Sequence, residues 1–565
     1  MIVLCLPLAL HRPADAQGTS FQQVDVSTSG VQGNGYCTSL HVSGDGRFVA
    51  FNSMSGNLVP GDSNGAPDGF VRDLLLGTTE LVGLGSQGQQ AVSETVARGI
   101  SEDGRFVVFI TRAANLDPAD TDIYADVYVR DRLTATTELI SILMNSTPSV
   151  SDCLQATISA DGRFVAFHGG DPNFVPGDTN GFGDVFVRDR LLGVTTLVSV
   201  DNSGTIGRFA SGYPSISADG QRVAFQSLAT NFHPSETGNQ WHVYLRDLAA
   251  GTTIALDLNP WGELGSKDAY EATISADGSS VAFISGAADL IASGPVNEVS
   301  RGYVWREGLP IYCPPLADGK EPAGGQDNGL SVDGRYLVFT GGQTQYVAGD
   351  PTASFDIFLH DLWTGVTSQV SSNGFDQPGN DESKRGSISD DGRVIGFLSQ
   401  ATNLVAGTTP GVLHAFVRIS DPTPGLVFCS PTKSLVGCLP ALSAQGKSSA
   451  SAGSGHPITV TETLNDQVGL FVYSTARYQA LSFAGGYLCV GFPLRRMSAQ
   501  ATGGSQPPTV DCTGSLSVDF NAWIASGSDT TLGAGSKVYL QSWTRDPTSP
   551  SGALLSEALG FLVGP

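Results

Sequence analysis

Charged side chains are scarce in this sequence. Asp, Glu, Lys and Arg make up 15% of its 565 residues, whereas 70 residues are glycine. Long helices joined by salt bridges need more charge and less glycine, so this balance favours many short strands linked by turns. Apolar residues amount to 40% of the chain, which is enough for a full core and excludes global disorder.

Basic residues are a minority, with 30 Lys and Arg against 54 Asp and Glu, and the formal net charge is -24. A surface of this sign repels phosphate backbones, so a nucleic-acid partner is disfavoured. It suits cations or basic partners, although solubility alone would also account for it.

No apolar run is long enough to cross a bilayer, which takes about 20 residues. The short apolar run at 2–10 is followed by Ala14-Asp15-Ala16, a pattern typical of a signal-peptide cleavage site. We therefore predict a signal peptide over residues 1–16 and export to the periplasm, the cell surface or the medium. A basic segment before the run is missing, which leaves open a start upstream of Met1.

Cysteine pairs of the CxxC type are absent, so a zinc ribbon or a thioredoxin-type site has no support. Four cysteines crowd into the C-terminal part, as expected of a disulfide-stapled domain: Cys429, Cys438, Cys489 and Cys512. Sequence alone leaves the pairing open, and proximity favours 429–438 and 489–512. Removal of the signal peptide leaves an odd number of cysteines, so at least one thiol is free or paired between chains.

A ten-residue phrase, ISADGRFVAF at 158–167, occurs seven times with small changes. Its aspartates follow one another at steps of 58, 58, 58, 58, 56 and 58, at Asp45, Asp103, Asp161, Asp219, Asp277, Asp333 and Asp391. A second phrase, DVFVRD at 184–189, follows in most units. Alternating apolar residues and the Asp-Gly turn predict four short strands per unit, which in the third unit are 155–158, 163–168, 184–189 and 194–199.

A four-stranded unit repeated seven times predicts a β-propeller, because blades that cannot bury both faces alone must stack around an axis. The segment FQQVDVSTSG at 21–30 is similar to the fourth strand of other units. We expect it to complete the seventh blade and to close the ring, which removes the exposed edges of an open array.

The signature S-x-D-G-R-x-V-A-F resembles the WD40-like (PD40) repeats of TolB-type propellers over residues 20–428. The resemblance implies a propeller fold. It does not specify an activity, because propellers of this type serve as binding platforms, as enzymes and as side domains of peptidases.

Polar loops between the second and third strands are candidate calcium sites. Blades 1, 2 and 3 place carboxylate and amide oxygens at alternate positions of a tight loop, as a hard cation requires: Asp62, Asn64 and Asp68; Asp120, Asp122 and Asp126; Asp178, Asn180 and Asp184. The spacing is not that of an EF-hand. The alternative is that these residues only form turns and satisfy loop backbone groups. Any calcium bound here is expected to be structural.

Catalytic motifs are equally scarce. Of eight histidines, no two stand at metal-ligand spacing, and His242, His414 and His360 are interpreted as structural variants of repeat positions. No G-x-S-x-G motif follows residue 428, which argues against an α/β-hydrolase domain. The arginine of the VRD phrase, as in Arg72 and Arg130, is expected to pair with an acidic group.

Residues 429–565 contain strand-like runs such as ITVTETL and KVYLQSWTRD, separated by turn residues. This pattern predicts a small β-sandwich held by disulfides. Trp523, Trp543 and Tyr539 could stack on a sugar, but core packing is the preferred interpretation.

The sequence thus predicts an exported all-β protein: a seven-bladed β-propeller over residues 17–428, followed by a small β-sandwich over 429–565. The leading hypothesis is a non-enzymatic binding or scaffold protein, with a protein or carbohydrate ligand at the axial mouth or on the loops. The alternative is a secreted propeller enzyme, such as a carbohydrate-active hydrolase or lyase. That alternative predicts acidic or histidine side chains from different blades converging at the axis.

Overall fold

Short antiparallel strands dominate the structure, a computed structural model in which the only described helix is Phe520–Ala525. It describes residues 19–238, 240–291, 300–307, 309–312, 325–342, 346, 354–362, 365–373, 377–420, 426–428, 438, 440–446, 448–475, 481–483, 486–488, 490, 493–505, 510–533, 536–547 and 553–563. The predicted signal peptide and Cys313, Cys429 and Cys489 lie outside these residues.

Seven four-stranded antiparallel sheets form the first part of the chain, and we call them blades 1 to 7. The first strands are Cys37–Val42, Thr95–Ile100, Ala156–Ile158, Ser211–Ile216, Ala269–Ile274, Gly325–Leu330 and Ser383–Ile388. The second strands are Phe48–Ser53, Phe106–Thr111, Phe164–Gly169, Arg222–Ser227, Ser280–Ser285, Tyr336–Gly341 and Val394–Ser399. The third strands are Asp68–Asp73, Asp126–Asp131, Asp184–Asp189, His242–Asp247, Arg301–Arg306, Asp356–Asp361 and His414–Ser420. The outer strands of blades 1 to 6 are Thr78–Leu81, Thr136–Leu139, Val194–Leu197, Thr252–Ala255, Leu309–Tyr312 and Val366–Gln369.

The Asp-Gly phrase forms the turn between the first and second strands, as predicted. In blade 2 the Ser101 hydroxyl donates to Asp103 at 2.8 Å and accepts from the Phe106 amide at 2.9 Å, which holds the turn shut. Gly104 has a φ of +72°, a conformation that costs an L-residue energy but suits glycine. The repeat phrase is therefore the sequence of a specific turn.

The N-terminal strand Thr19–Gln23 completes blade 7 by pairing with His414–Ser420, which confirms the predicted strand exchange. A belt of backbone hydrogen bonds also links the first turns of neighbouring blades around the whole ring. Its seven bonds span 2.8 to 3.2 Å and run 45→102, 102→160, 160→218, 218→276, 277→332, 332→390 and 390→44. The last bond joins blade 7 to blade 1, so the ring is closed at both its turns and its outer edge.

Apolar side chains fill the space between neighbouring blades. One core cluster joins Phe48 and Val71 of blade 1 to Phe109 and Tyr128 of blade 2, all of them buried. The third strand of blade 2, Asp126–Asp131, is buried at all six positions, because neighbouring blades cover both of its faces. The prediction of an all-β propeller is confirmed by these sheets.

The two arginines of the repeat have different kinds of partner. The arginine of the Asp-Gly-Arg turn pairs with the aspartate that ends the third strand, as in Arg105 with Asp131 at 2.6 Å. The arginine of VRD instead donates to neutral groups: Arg130 donates to the carbonyls of Leu84 and Ala135 and to the Thr137 hydroxyl. The expectation that the VRD arginine pairs with an acid is wrong here, because its side chain lies under the outer strand among carbonyl groups.

The C-terminal part contains two larger sheets. One has six strands, Leu426–Phe428, Ala553–Leu562, Lys537–Arg545, Val468–Ser474, Arg495–Arg496 and Gln500–Ala501. The other has three, Ala441–Ala444, Pro457–Thr463 and Gly514–Asp519, and a further pair is Leu481–Phe483 with Gly486–Leu488. Both larger sheets contribute to one apolar core, which includes Ile458, Phe471 and Leu540. The β-sandwich stays a prediction.

A disulfide joins Cys438 to Cys512, so the pairing favoured by proximity is wrong for both residues. Sheet folding brings them together across a sequence separation of 74, beside buried Leu464 and Leu554. Cys37 and Cys153, in the propeller, are free and buried. Trp523 donates its indole N–H to the Tyr473 hydroxyl at 3.1 Å and packs against the C-terminal core.

Among the described residues, no helix has the length and apolar character that a membrane crossing requires.

Candidate functional site

A cavity of about 650 Å³ lies on the propeller axis, and the first strand of every blade contributes to its wall. Its charged and polar lining includes His41, Arg98, Tyr213, Glu271 and Arg385, which come from blades 1, 2, 4, 5 and 7. Its volume lies within the range of about 300–1,000 Å³ typical of ligand pockets. The fold thus brings side chains from five blades together in this cavity.

Three of these side chains stand on strained backbone. Tyr213, Glu271 and Arg385 have φ values of +51°, +55° and +60°, although none is glycine. Each lies in a β-bulge where the pairing register of the first strand shifts. A bulge turns a side chain away from its ordinary direction, and such strain is concentrated at functional sites. The three bulges present their side chains to the axial cavity.

Positive charge collects in this cavity despite the acidic chain. Burial lowers the pKa of Arg98, and repulsion by the positive charge of Arg385 lowers it further. Burial and the same two arginines lower the pKa of His41 to about 4, which keeps that imidazole neutral at ordinary pH. With Glu271 as the one carboxylate among the described lining residues, the two arginines leave an excess of positive charge on the wall.

These cavity residues were not predicted from the sequence. Tyr213, Glu271 and Arg385 each precede the aspartate of their Asp-Gly turn by the same distance, at residues 219, 277 and 391. A bulky or charged residue at that fixed position was the available signal. It was not recognised because only the pairing register shows that the backbone turns there.

In blade 1 the predicted loop residues are linked through amide groups. Gln90 donates to Asp62 at 2.9 Å and to Asp68 at 3.1 Å, and Asn64 donates to the Ala91 carbonyl at 3.1 Å. Burial raises the pKa of Asp68 to about 6, and its hydrogen bonds oppose that rise. The loop oxygens thus have donors from this chain.

In blade 3 the loop residues also form hydrogen bonds with other groups of this chain. Asn180 donates its amide N–H to Asp184 at 2.7 Å and to the Gly207 carbonyl at 2.8 Å. The Ser199 hydroxyl donates to the other Asp184 oxygen at 2.7 Å. Burial raises the pKa of Asp184 to about 7. Asp178 keeps one buried oxygen without a partner.

Blade 2 alone brings three carboxylates together among the residues the structure describes. One oxygen from each of Asp120, Asp122 and Asp126 lies within 4.8 Å of the others. Asp120 and Asp126 are 2% and 0% exposed, and Asp126 Oδ2 has no hydrogen-bond partner. Burial raises the pKa of Asp126 to about 8, with added repulsion from the two neighbouring carboxylates.

Histidine takes the place of the strand-leading aspartate in blades 4 and 7. His242 Nδ1 lies 2.6 Å from Asp257, and its Nε2 lies 3.2 Å from Glu236. His414 Nδ1 lies 2.6 Å from Asp25. Both imidazoles are buried and contact acids of their own blade, in agreement with their interpretation as structural variants.

No protein-family model and no curated protein matches this chain. Several solved structures are similar in fold to this chain. The propeller domain of the Trilobed protease from Pyrococcus furiosus is 12% identical, covering 68% of this chain and 95% of that one, with a TM-score of 0.40. TolB from Acinetobacter baumannii is 12% identical, covering 70% and 81%, with a TM-score of 0.32.

An acylaminoacyl peptidase from Pyrococcus horikoshii is 12% identical, with a TM-score of 0.39. The match covers 76% of this chain and 59% of the peptidase. TolB is thus among the similar structures, as the repeat resemblance implied, whereas the PD40 assignment stays a prediction. Similarity at this level identifies neither the ligand nor the activity of this chain.

Proposed function

We propose that this protein is an exported, non-enzymatic binding module whose axial cavity takes an anionic group of a protein or glycan ligand. The observation that carries the proposal is the placement of Arg98 and Arg385 on the cavity wall of a chain with a net charge of -24. Export is supported by the sequence of the N-terminal segment.

The strained bulges support a binding role. A left-handed conformation costs a non-glycine residue roughly 1–2 kcal/mol. The fold bears this cost at Tyr213, Glu271 and Arg385, all three of which line the same cavity. Packing alone does not require a charged side chain at two of these positions. Recognition of a polar ligand does, because it depends on a few fixed charged groups.

The charges favour a carboxylate as the recognised group. An arginine guanidinium donates two parallel hydrogen bonds to a carboxylate, which makes it a preferred partner for such groups. Repulsion between Arg98 and Arg385 is relieved when an anion lies near both. Tyr213 adds an exposed aromatic ring that can pack on a sugar or a side chain. Acidic polysaccharides and acidic protein segments both fit this description.

A second candidate function is a lyase acting on an acidic polysaccharide. Its support is a neutral imidazole, His41, in the same cavity as Arg98 and Tyr213, because proton abstraction beside a carboxylate needs a base and a cation. Hydrolysis of glycosides ordinarily needs two carboxylates. Among the lining residues that the structure describes, Glu271 is the one carboxylate, so a lyase fits this wall better than a hydrolase.

Calorimetric titration with matched ligands tests the proposal. The ligands are an oligosaccharide of uronic acids, its neutral counterpart, and acidic and amidated versions of one peptide. We expect binding of the acidic member of one pair and a loss of about tenfold or more in affinity in Arg98→Ala, since a charged hydrogen bond contributes about 1.5–3 kcal/mol. Arg208→Ala is the control, because Arg208 is exposed and does not line the cavity.

Equal binding of acidic and neutral members, or unchanged binding in Arg98→Ala, would remove the proposal. Accumulation of an unsaturated sugar product, lost in His41→Gln, would favour the lyase instead. Salt dependence gives a further check, because binding carried by these arginines weakens as ionic strength rises.

A further inference from the structure

The loop of blade 2 is the one place among the described loops of blades 1 to 3 where an acid replaces an amide donor. Blade 3 has Asn180, whose N–H reaches the strand-leading Asp184. The same position in blade 2 is Asp122, which has no N–H to donate from its side chain. Asp126 therefore lacks the donor that its counterpart has, and its Oδ2 is left without a partner.

Other donors in the loop are already committed to different oxygens. Tyr128 donates its hydroxyl to Asp120 Oδ2 at 2.6 Å, and the Ser141 hydroxyl donates to Asp126 Oδ1. The Tyr124 amide donates to Asp122 Oδ1 at 2.9 Å. These bonds orient the three carboxylates without neutralising them. A buried, unpartnered carboxylate oxygen costs free energy until a cation or a proton reaches it.

Blade 4 shows how the same position is neutralised elsewhere in the ring. There the strand-leading residue is His242, and its imidazole lies between Glu236 and Asp257. Asp257 and Glu236 raise the pKa of His242 against the effect of burial, so the imidazole holds its proton more firmly. Blade 4 thus supplies a cationic group from its own chain. Blade 2 gathers three acids and has no basic side chain at the equivalent position.

We propose that the loop of blade 2 binds one divalent cation, with calcium as the preferred ion, through Asp120, Asp122 and Asp126. The site is independent of the axial cavity. Calcium prefers oxygen ligands at flexible geometry, and three carboxylates within 4.8 Å of one another meet that preference. The sequence prediction of calcium in blades 1 and 3 stays a prediction. Among the described residues, blade 2 is distinguished by its three carboxylates within 4.8 Å of one another, one of which has an unpartnered buried oxygen.

The bound ion would stabilise the contact between blades 2 and 3. The loop docks on the segment that leads into blade 3, because the Ala125 amide donates to Asp152 at 2.9 Å and the Cys153 amide donates to the Ala125 carbonyl at 2.7 Å. Asp152 is in turn held by Arg112 at 2.7 Å. A cation that orders the residues before Ala125 therefore stabilises this interface.

Calcium titration of the chelator-treated full chain tests the site, followed by calorimetry and by terbium luminescence. Tyr128 lies against Asp120, so it should sensitise emission from a terbium ion bound there. We expect a dissociation constant on the order of 10⁻⁵ to 10⁻³ M, in the range from sensor sites to extracellular modules, and a melting temperature that rises with calcium.

The informative variant is Asp122→Asn, which gives blade 2 the amide that blade 3 has. We expect calcium affinity to fall by about tenfold or more, in keeping with a lost charged ligand, while the calcium-free protein melts no lower than wild type. Asp117→Asn is the matched control: Asp117 lies in the same loop but outside the carboxylate group, and its loss should change affinity by less than about threefold.

Two results would overturn the proposal. One is the absence of binding heat and of terbium emission in wild type at millimolar ion concentrations. The other is an Asp122→Asn variant that binds calcium as wild type does. The first result would mean that Asp126 holds a proton or a water molecule instead of a metal ion. The second would mean that calcium binds at another place on the chain.

Discussion

His242 and Asp126 begin the third strands of blades 4 and 2, and they occupy equivalent positions in their blades. The imidazole of His242 is buried between Asp257 and Glu236, with both ring nitrogens in contact with acids. Another histidine, His360, stands where other blades have the VRD arginine, and its Nδ1 lies 2.8 Å from the Thr367 hydroxyl. His242 and His360 are both buried histidines, but their neighbours differ, so their pKa values shift in opposite directions.

The stability contributed by His242 should fall as pH rises. Burial alone would lower its pKa, but the hydrogen bond and charge of Asp257 and the charge of Glu236 raise it overall. The folded protein therefore binds this proton more tightly than the unfolded chain. Its contribution is complete below the ordinary histidine value of about 6.5 and is lost as pH rises through the higher folded value. Urea unfolding of wild type and His242→Gln at several pH values measures the difference.

His360→Gln provides a control of opposite sign. Burial lowers the pKa of His360 to about 4, so the unfolded chain binds the proton first. Wild type should lose stability relative to His360→Gln as pH falls from about 6.5 to about 4. Parallel pH profiles for the two variants would contradict these assignments.

At the scale of the element, the Asp-Gly turn combines a special backbone conformation with a crowded place. Gly104 has a φ of +72°, and a Cβ added there would overlap the ring of Phe48 in the neighbouring blade. That ring cannot move aside easily, because Arg47 and Arg132 lie over it at 4.7 and 4.4 Å. The turn therefore couples the geometry of one blade to the packing of the next.

Gly104→Ala should lower the free energy of unfolding by about 2–5 kcal/mol, the sum of a left-handed alanine and an overpacked contact. Gly204→Ala is the matched control, because Gly204 has a φ of +81° but open space around it. Only the conformational cost of roughly 1–2 kcal/mol applies there. Denaturant unfolding of both variants separates the two terms, and equal losses would show that crowding by Phe48 does not matter.

Features that depend on local sequence were predicted, whereas features that depend on contacts between distant parts of the chain were not. The turn at Asp103–Gly104 and the strand at Asp184–Asp189 follow from local pattern, so both were predicted. The cavity residues Arg98 and Arg385 were not, because their convergence depends on bulges and on the meeting of blades far apart in sequence. The acid at Asp122 is visible in the sequence, whereas the missing donor to Asp126 appears only once every neighbour is placed.

For the whole molecule, closure of the ring rests on the first strand. Thr19–Gln23 covers the edge of His414–Ser420, and Phe21 packs against the core of blade 7. Without that strand, the edge of blade 7 would expose unpaired N–H and C=O groups, which promote association with other chains. The belt of hydrogen bonds between turns and the apolar packing of blade 7 against blade 1 would remain.

A chain that begins at Val24 should be less stable and should self-associate. Loss of the packing of Phe21, together with five paired residues, is expected to cost about 3–5 kcal/mol by analogy with large-to-small changes in cores. Thermal unfolding and size-exclusion chromatography measure the two effects. A chain that begins at Gly18 keeps the strand and is the control. A monomer of unchanged stability after the longer deletion would show that the first strand is not needed to close the ring.

The closing strand also sets an order of events during synthesis. Thr19 pairs with Ser420, so one sheet contains both the first and the last strand of the propeller to leave the ribosome. At roughly 5–20 residues per second, about 400 residues separate them by roughly 20–80 s. Blades 1 to 6 can each form from contiguous chain as it emerges, whereas blade 7 must wait for a strand made first. During that interval the unpaired first strand is the segment that a chaperone has the longest time to bind.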